Sequence, residues 1–171
     1  MDAARKNLGP RVAVVVSRYN ATITERLLDG ALAAFGRRFP GDVPPPVVVE
    51  APGAFEMVVL ARRLAGDFCG VVALGCVIRG ETEHDRHIAS AVANGLASVS
   101  IETGVPVTFG VLTVETVEQA MERAGGRKGN KGADAMDALL DVLDVMQRLR
   151  AGTGGARIGA GRVPGDKVGG V

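Results

Sequence analysis

The chain is poor in aromatic residues: among 171 positions it has no Trp, one Tyr and five Phe, 4% in all. A core without large rings must be filled by small aliphatic side chains, and 47% of residues are hydrophobic. That combination suits helices packed closely on a parallel sheet whose strands are buried on both faces. Cysteine is equally scarce. Cys69 and Cys76 are the only two, and both lie in or beside an apolar stretch, which favours buried reduced thiols over a bridge. An excess of either charge is also missing. The formal net charge is +1, so no overall field points to nucleic acid or to an acidic membrane. No apolar run approaches the roughly 20 residues that span a bilayer. The N-terminal MDAARKNLGPR lacks the apolar core of a signal peptide. A cytoplasmic location is therefore expected. The length allows one domain with a real core, and a mean hydropathy of +0.20 hints at apolar surface shared with other subunits.

What is present alternates. Arg11 to Ser17 (RVAVVVS) is a continuous β-branched run, the mark of a strand covered on both sides. A helix follows, capped by Thr22 or Thr24, with Leu27, Leu28, Ala31, Leu32 and Phe35 on one face. The prolines 44–46 lead into a second strand from Val47 to Glu50, and helix resumes from about Ala54 to Ala65. Gly70 to Ile78 supplies a third strand. Helical spacing of Ile88, Ala89, Val92, Leu96 and Val99 marks the next helix, Asp85 to Thr103. Val107 to Val114 is a fourth strand, and helices near Val117 to Ala124 and Ala133 to Arg150 close the fold. Strands alternating with helices predict an α/β, three-layer α/β/α sandwich around a four-stranded parallel sheet. The domain is expected to span residues 1–150. Residues 151–171, rich in glycine and without periodicity, read as a disordered tail.

In such sheets ligands collect at the carboxyl ends of the strands. Those ends hold Ser17 to Asn20, Ala51 to Glu56, Arg79 to His84 and Thr113 to Glu115, most of the chemically useful residues in the chain. In GCVIRGETEHDRH a strand runs into a turn before a helix start, whose unpaired N–H groups can hold a phosphate. An ordinary helix start capped by Thr82 or Asp85 fits these residues slightly better on physical grounds alone. His84 suits proton transfer, since imidazole is the side chain whose charge changes near neutral pH; a plain surface histidine is the equal alternative. His84 and His87 do not make a metal pair, because no third ligand stands at a known spacing and Arg86 lies between them. In APGAFE, Phe55 can wall a flat ring and Glu56 can accept bonds from hydroxyls, or the two can serve as an anchor and a first-turn carboxylate. Tyr19 can stack on a heteroaromatic ring or plug the sheet edge. ERAGGRKGNKG fails as a phosphate loop: Lys131 is followed by Gly132, and a helix rather than a strand precedes the run. Arg123 and Lys131 remain as cations, within what is by default a solvated basic loop.

Together, SRYN, APGAFE, GCVIRGETEH, PVTFGVLT and ERAGGRKGNKGAD resemble the lumazine synthase family (6,7-dimethyl-8-ribityllumazine synthase), in order over about residues 11–150. The resemblance implies a flavodoxin-like fold and a step of riboflavin biosynthesis. In it 5-amino-6-(D-ribitylamino)uracil condenses with 3,4-dihydroxy-2-butanone 4-phosphate, losing phosphate and water, with no cofactor and no metal. It also implies roles for individual residues. Tyr19 stacks on the pyrimidine, where the family commonly has Phe or Trp. Asn20 and Glu56 bind the ribityl chain, while Ala54, Phe55, Val77 and Ile78 frame the ring. Gly80, Glu81 and Thr82 hold the phosphate, Arg123 completes that anion site, and His84 shuttles protons. Phe109 and Lys131 come from a neighbouring subunit.

The implied assembly is a homopentamer, or a 60-subunit shell, with sites at subunit interfaces and a functional link to riboflavin synthase. The short turn Gly125 to Gly132 favours shell formers, whereas the tail and Pro10 are departures that favour other assemblies. Nucleic acid and membrane partners are not expected. Two rivals are a flavin-binding or cage-forming homologue with little catalysis, and a flavodoxin-like electron carrier. The first has no need of His84 and Arg123. The second needs a hydroxyl-rich loop after the first strand, which Ser17 to Thr22 supplies poorly.

Overall fold

A computed structural model of the chain describes residues 9–41, 43–80 and 83–152. Glu81 and Thr82, and the tail from residue 153 onward, lie outside the described residues. The element order is β1 (Val12–Ser17), α1 (Ala21–Arg38), β2 (Val47–Ala51), α2 (Met57–Leu64), β3 (Gly70–Ile78), α3 (His84–Thr103), β4 (Val107–Val114), α4 (Val117–Arg123), β5 (Ala124–Gly126), β6 (Gly129–Asn130) and α5 (Lys131–Arg150). Four strands form one parallel sheet in the order β2-β1-β3-β4. This is the expected α/β, flavodoxin-like architecture.

The two-residue alternation of a strand divides the core in two. Val12, Val14 and Val16 of β1, with Val72, Leu74 and Cys76 of β3, meet α1, α4 and α5 on one face. Val15, Val71, Ala73 and Val77 meet α2 and α3 on the other. Both inner strands are therefore buried along almost their whole length, which is why their sequences run apolar without alternation.

Local chemistry shifts several boundaries. Asn20, not Thr22 or Thr24, is the N-cap residue of α1; Thr24 is buried within the first turn, its hydroxyl bonded to Ala21 O. Residues 54–56 form a turn, so α2 begins at Met57 rather than Ala54. The stretch read as a simple turn before α5 is a small antiparallel hairpin, β5 with β6. Its Asn130 caps α5: Oδ1 accepts from Gly132 N at 2.8 Å and Ala133 N at 3.2 Å, and Nδ2 donates to Arg26 O at 2.7 Å. Both thiols are free, but Cys69 is exposed, contrary to expectation. It precedes β3 rather than belonging to it, and its Sγ donates to Arg11 O at 3.0 Å. Cys76 is buried, and desolvation pushes its thiol up to about 11.

Candidate active site

The chain order of the sheet reverses between β1 and β3, since β1 leads outward to β2 and the chain then returns to β3 on the other side. Such a reversal opens a crevice beyond the carboxyl ends of the two strands. The last registered pair between them is Val16↔Leu74. Past it lies a cavity of about 770 Å³, a volume suited to a small-molecule ligand.

Four chain segments build its walls. Tyr19 enters from the corner after β1; the residue is 71% exposed, so it faces the opening and does not plug the core. The turn after β2 contributes Gly53, Ala54, Phe55 and Glu56. A Cβ on Gly53 would stand 2.9 Å from Glu56 Oε2, so glycine here leaves room for that carboxylate. The end of β3 supplies Cys76, Val77, Ile78 and, just beyond, Gly80. The first turns of α3 add His84, Asp85, His87, Ile88 and Ala91. Both imidazoles are exposed, and neither has a hydrogen-bond partner among the described residues.

Eight of the expected site residues are thus brought together: Tyr19, Ala54, Phe55, Glu56, Val77, Ile78, Gly80 and His84. Asn20 lies beside the cavity with its amide engaged, Nδ2 donating to Cys76 O at 2.9 Å. Arg123, Lys131 and Phe109 do not line it. Arg123 ends α4 and its Nη1 donates to Gln119 O at 3.0 Å; Lys131 opens α5 and pairs with Asp134 at 2.8 Å. Phe109 is 46% exposed on β4 opposite Ala73, four residues before the Val77↔Thr113 pair, or about 13 Å of strand from the cavity floor. Among the described residues no Lys or Arg lines the cavity, and no cluster of three or more His, Cys, Asp or Glu could hold a metal. No described helix is long and apolar enough to cross a membrane.

The lining also includes Asp85, His87, Ile88 and Ala91, which the strand-end rule alone does not reveal. His84, His87, Ile88 and Ala91 stand at i, i+3, i+4 and i+7, so one face of α3 forms the wall. That signal becomes legible once His84 is assigned to the site.

An open parallel sheet with a pre-formed, ring-lined cavity at its reversal point defines an α/β protein that binds small molecules. Comparison with known proteins narrows this class. The family model for 6,7-dimethyl-8-ribityllumazine synthase matches residues 9–147. The chain is also similar to the 6,7-dimethyl-8-ribityllumazine synthases of two strains of Thermus thermophilus. Each is 47% identical over 121 residues, covering 70% of this chain and 76% of the relative. The chain belongs to the 6,7-dimethyl-8-ribityllumazine synthase family.

Proposed function

We propose that this protein is a riboflavin-biosynthesis transferase that condenses 5-amino-6-(D-ribitylamino)uracil with 3,4-dihydroxy-2-butanone 4-phosphate. The observation that carries the reading is the convergence of Tyr19, Phe55, Glu56 and His84 on one cavity in a member of this family. Tyr19 and Phe55 offer flat apolar surfaces to the pyrimidine, and Glu56 accepts bonds from ribityl hydroxyls. Gly80 leaves the backbone open toward the butanone phosphate, since among the described residues nothing beyond its chain neighbours lies within 4 Å of a Cβ built there. His84 relays protons as the amine and ketone form an imine with loss of water, as phosphate departs to leave a second carbonyl, and as the other nitrogen adds to that carbonyl and closes the ring with loss of a second water. The protein's main contribution is to hold two reactive molecules in one pose, where effective molarities reach about 10⁵ M or more.

Arg123, Lys131 and Phe109 join the site in an assembly, a pentamer whose neighbouring subunit supplies Phe109 and Lys131. The middle of α3 supports such an assembly: between Ser90 and Ile101 the exposed residues Ser90, Ala91, Ala93, Asn94, Ala97, Ser98 and Ile101 carry no charge. So does β2, an edge strand with Val47 and Val48 exposed. Faces of this kind mark contact with another protein surface. Free thiols at Cys69 and Cys76 fit the cytoplasm. Mixing purified protein with both substrates tests the function: fluorescent lumazine and free phosphate should appear together. A flavin-binding homologue without catalysis would give neither. Sedimentation reads the assembly.

A further inference from the structure

The corner joining β1 to α1 is tied on both sides. Arg18 N donates to Ala51 O at the end of β2, at 2.8 Å. Tyr19 N turns inward to Ser17 Oγ at 3.2 Å, and Ser17 is buried. Asn20 then sits at φ 60°, ψ 44°, the only non-glycine residue at positive φ among the described residues. In that left-handed conformation its carbonyl starts α1, accepting from Ile23 N at 2.9 Å and Thr24 N at 3.1 Å. The side chain points the other way, and Nδ2 donates to Cys76 O across the crevice at 2.9 Å.

Cys76 O lies beyond Val16↔Leu74, where the backbone pairing of β1 and β3 has ended. The Asn20 amide is therefore an added rung, made by a side chain, at the place where the sheet opens. Asn is suited to this task. It tolerates the left-handed region better than other residues with a Cβ, and it carries an amide donor that Asp lacks. Tyr19 stands between the tie to β2 and the tie to β3, and otherwise has a largely exposed ring.

We infer that Asn20 is a positioning residue: by bonding Cys76 O it clamps the β1–α1 corner and holds the Tyr19 ring in place for the flat guest. This rests on the proposed function for the identity of that guest, but the clamp itself can be read independently. Tyr19 is the only tyrosine and the chain has no Trp, so tyrosine fluorescence reports on this one ring.

The test compares native protein with Asn20→Gly, which tolerates φ 60° but drops the amide, and with Asn20→Asp, which keeps the shape without the donor. In both, steady-state tyrosine anisotropy should fall. The KM for the ribitylaminouracil should rise by about fivefold or more, as expected for one lost hydrogen bond, with the KM for the butanone phosphate unchanged. Native anisotropy in both variants overturns the clamp. Lowered anisotropy with an unchanged pyrimidine KM, or an equal rise in both KM values, overturns the positioning role. If Asn20→Asp does not fold, Asn20→Gly decides alone. If native protein forms no lumazine, the functional reading fails while anisotropy still decides the clamp.

Discussion

Gly132 lies at the second position of α5, directly against the backbone of α1. A Cβ built there would stand 1.9 Å from Leu27 O and 2.6 Å from Leu27 C. The first distance falls about 1.4 Å short of the ~3.3 Å at which carbon and carbonyl oxygen normally meet. Because the obstacle is backbone, no rotamer change relieves it, and Gly132→Ala must move α5 away from α1. Overpacking of this kind costs about 1–3 kcal/mol, here toward the upper end. The better helix propensity of Ala returns up to about 1 kcal/mol. A net loss of about 2 kcal/mol should lower Tm by about 4–8 °C in a domain of this size. The control is Gly36→Ala, also in a helix, where nothing lies within 4 Å of the added carbon. It should raise stability by about 0.5–1 kcal/mol. Thermal melts followed by circular dichroism, at matched protomer concentration, compare the two. A Gly132→Ala protein melting at or above the native value, with Gly36→Ala behaving as stated, would refute the close approach. Lys131 precedes Gly132 directly, so the same displacement should also lower activity.

His84→Ala should slow turnover by about 10²–10⁴, the usual worth of a positioned acid/base, while leaving residual activity. Complete loss with both substrates still bound would count against a mechanism dominated by positioning. Arg123→Ala should chiefly raise the KM for the butanone phosphate, and an unchanged KM removes Arg123 from the phosphate site. Coexpression of His84→Ala and Lys131→Ala chains in equal amounts should restore about one quarter of native activity, because random mixing leaves that share of interface sites intact. No recovery argues that Lys131 serves its own chain. Burial raises the Cys76 thiol from its ordinary value near 9 to about 11. The folded state therefore keeps a proton that the unfolded chain loses, so the stability this contributes is present below about pH 9 and lost as pH rises toward 11. Denaturation midpoints should fall across that range, and less so in Cys76→Ala.

The regular part of the fold was legible because its physics is local. β1 and β3 are buried on both faces and say so through unbroken runs of Val, Ala and Leu. The bounds of β3 and β4 follow directly from where those runs stop. Features that depend on contacts distant in sequence were not legible. Thr22 and Thr24 look like caps for α1, yet Asn20 takes the position in a left-handed conformation, its amide bonded to Cys76 O 56 residues away and not to the helix start. The glycines around Lys131 imitate a phosphate loop, but Gly125 and Gly129 answer to the positive φ of the hairpin and Gly132 to packing. Gly30 leaves space for the Asn130 side chain, which a Cβ there would meet at 2.2 Å, and Gly132 lets α5 touch α1. The strand-end rule located the cavity. It could not show that one face of α3 completes the wall, because that depends on how the helix is rotated about its axis.

The charges of the cavity explain why one chain is not enough for the proposed chemistry. Its lining within a single chain holds two carboxylates, Glu56 and Asp85, two imidazoles and, among the described residues, no Lys or Arg. A phosphate monoester brings about −1.5 to −2 charges at neutral pH. The start of α3 offers roughly half a positive charge from its backbone dipoles, too little to offset both that group and two nearby carboxylates. Removing such an anion from water without a cation costs several kcal/mol. On the proposed reading Arg123 and Lys131 supply the missing charge; they belong to α4 and α5, which pack on the sheet face opposite α2 and α3. On that reading, assembly is therefore part of substrate binding: a neighbouring copy closes the cavity and brings its cation to an anion for which the described lining of one chain holds no Lys or Arg.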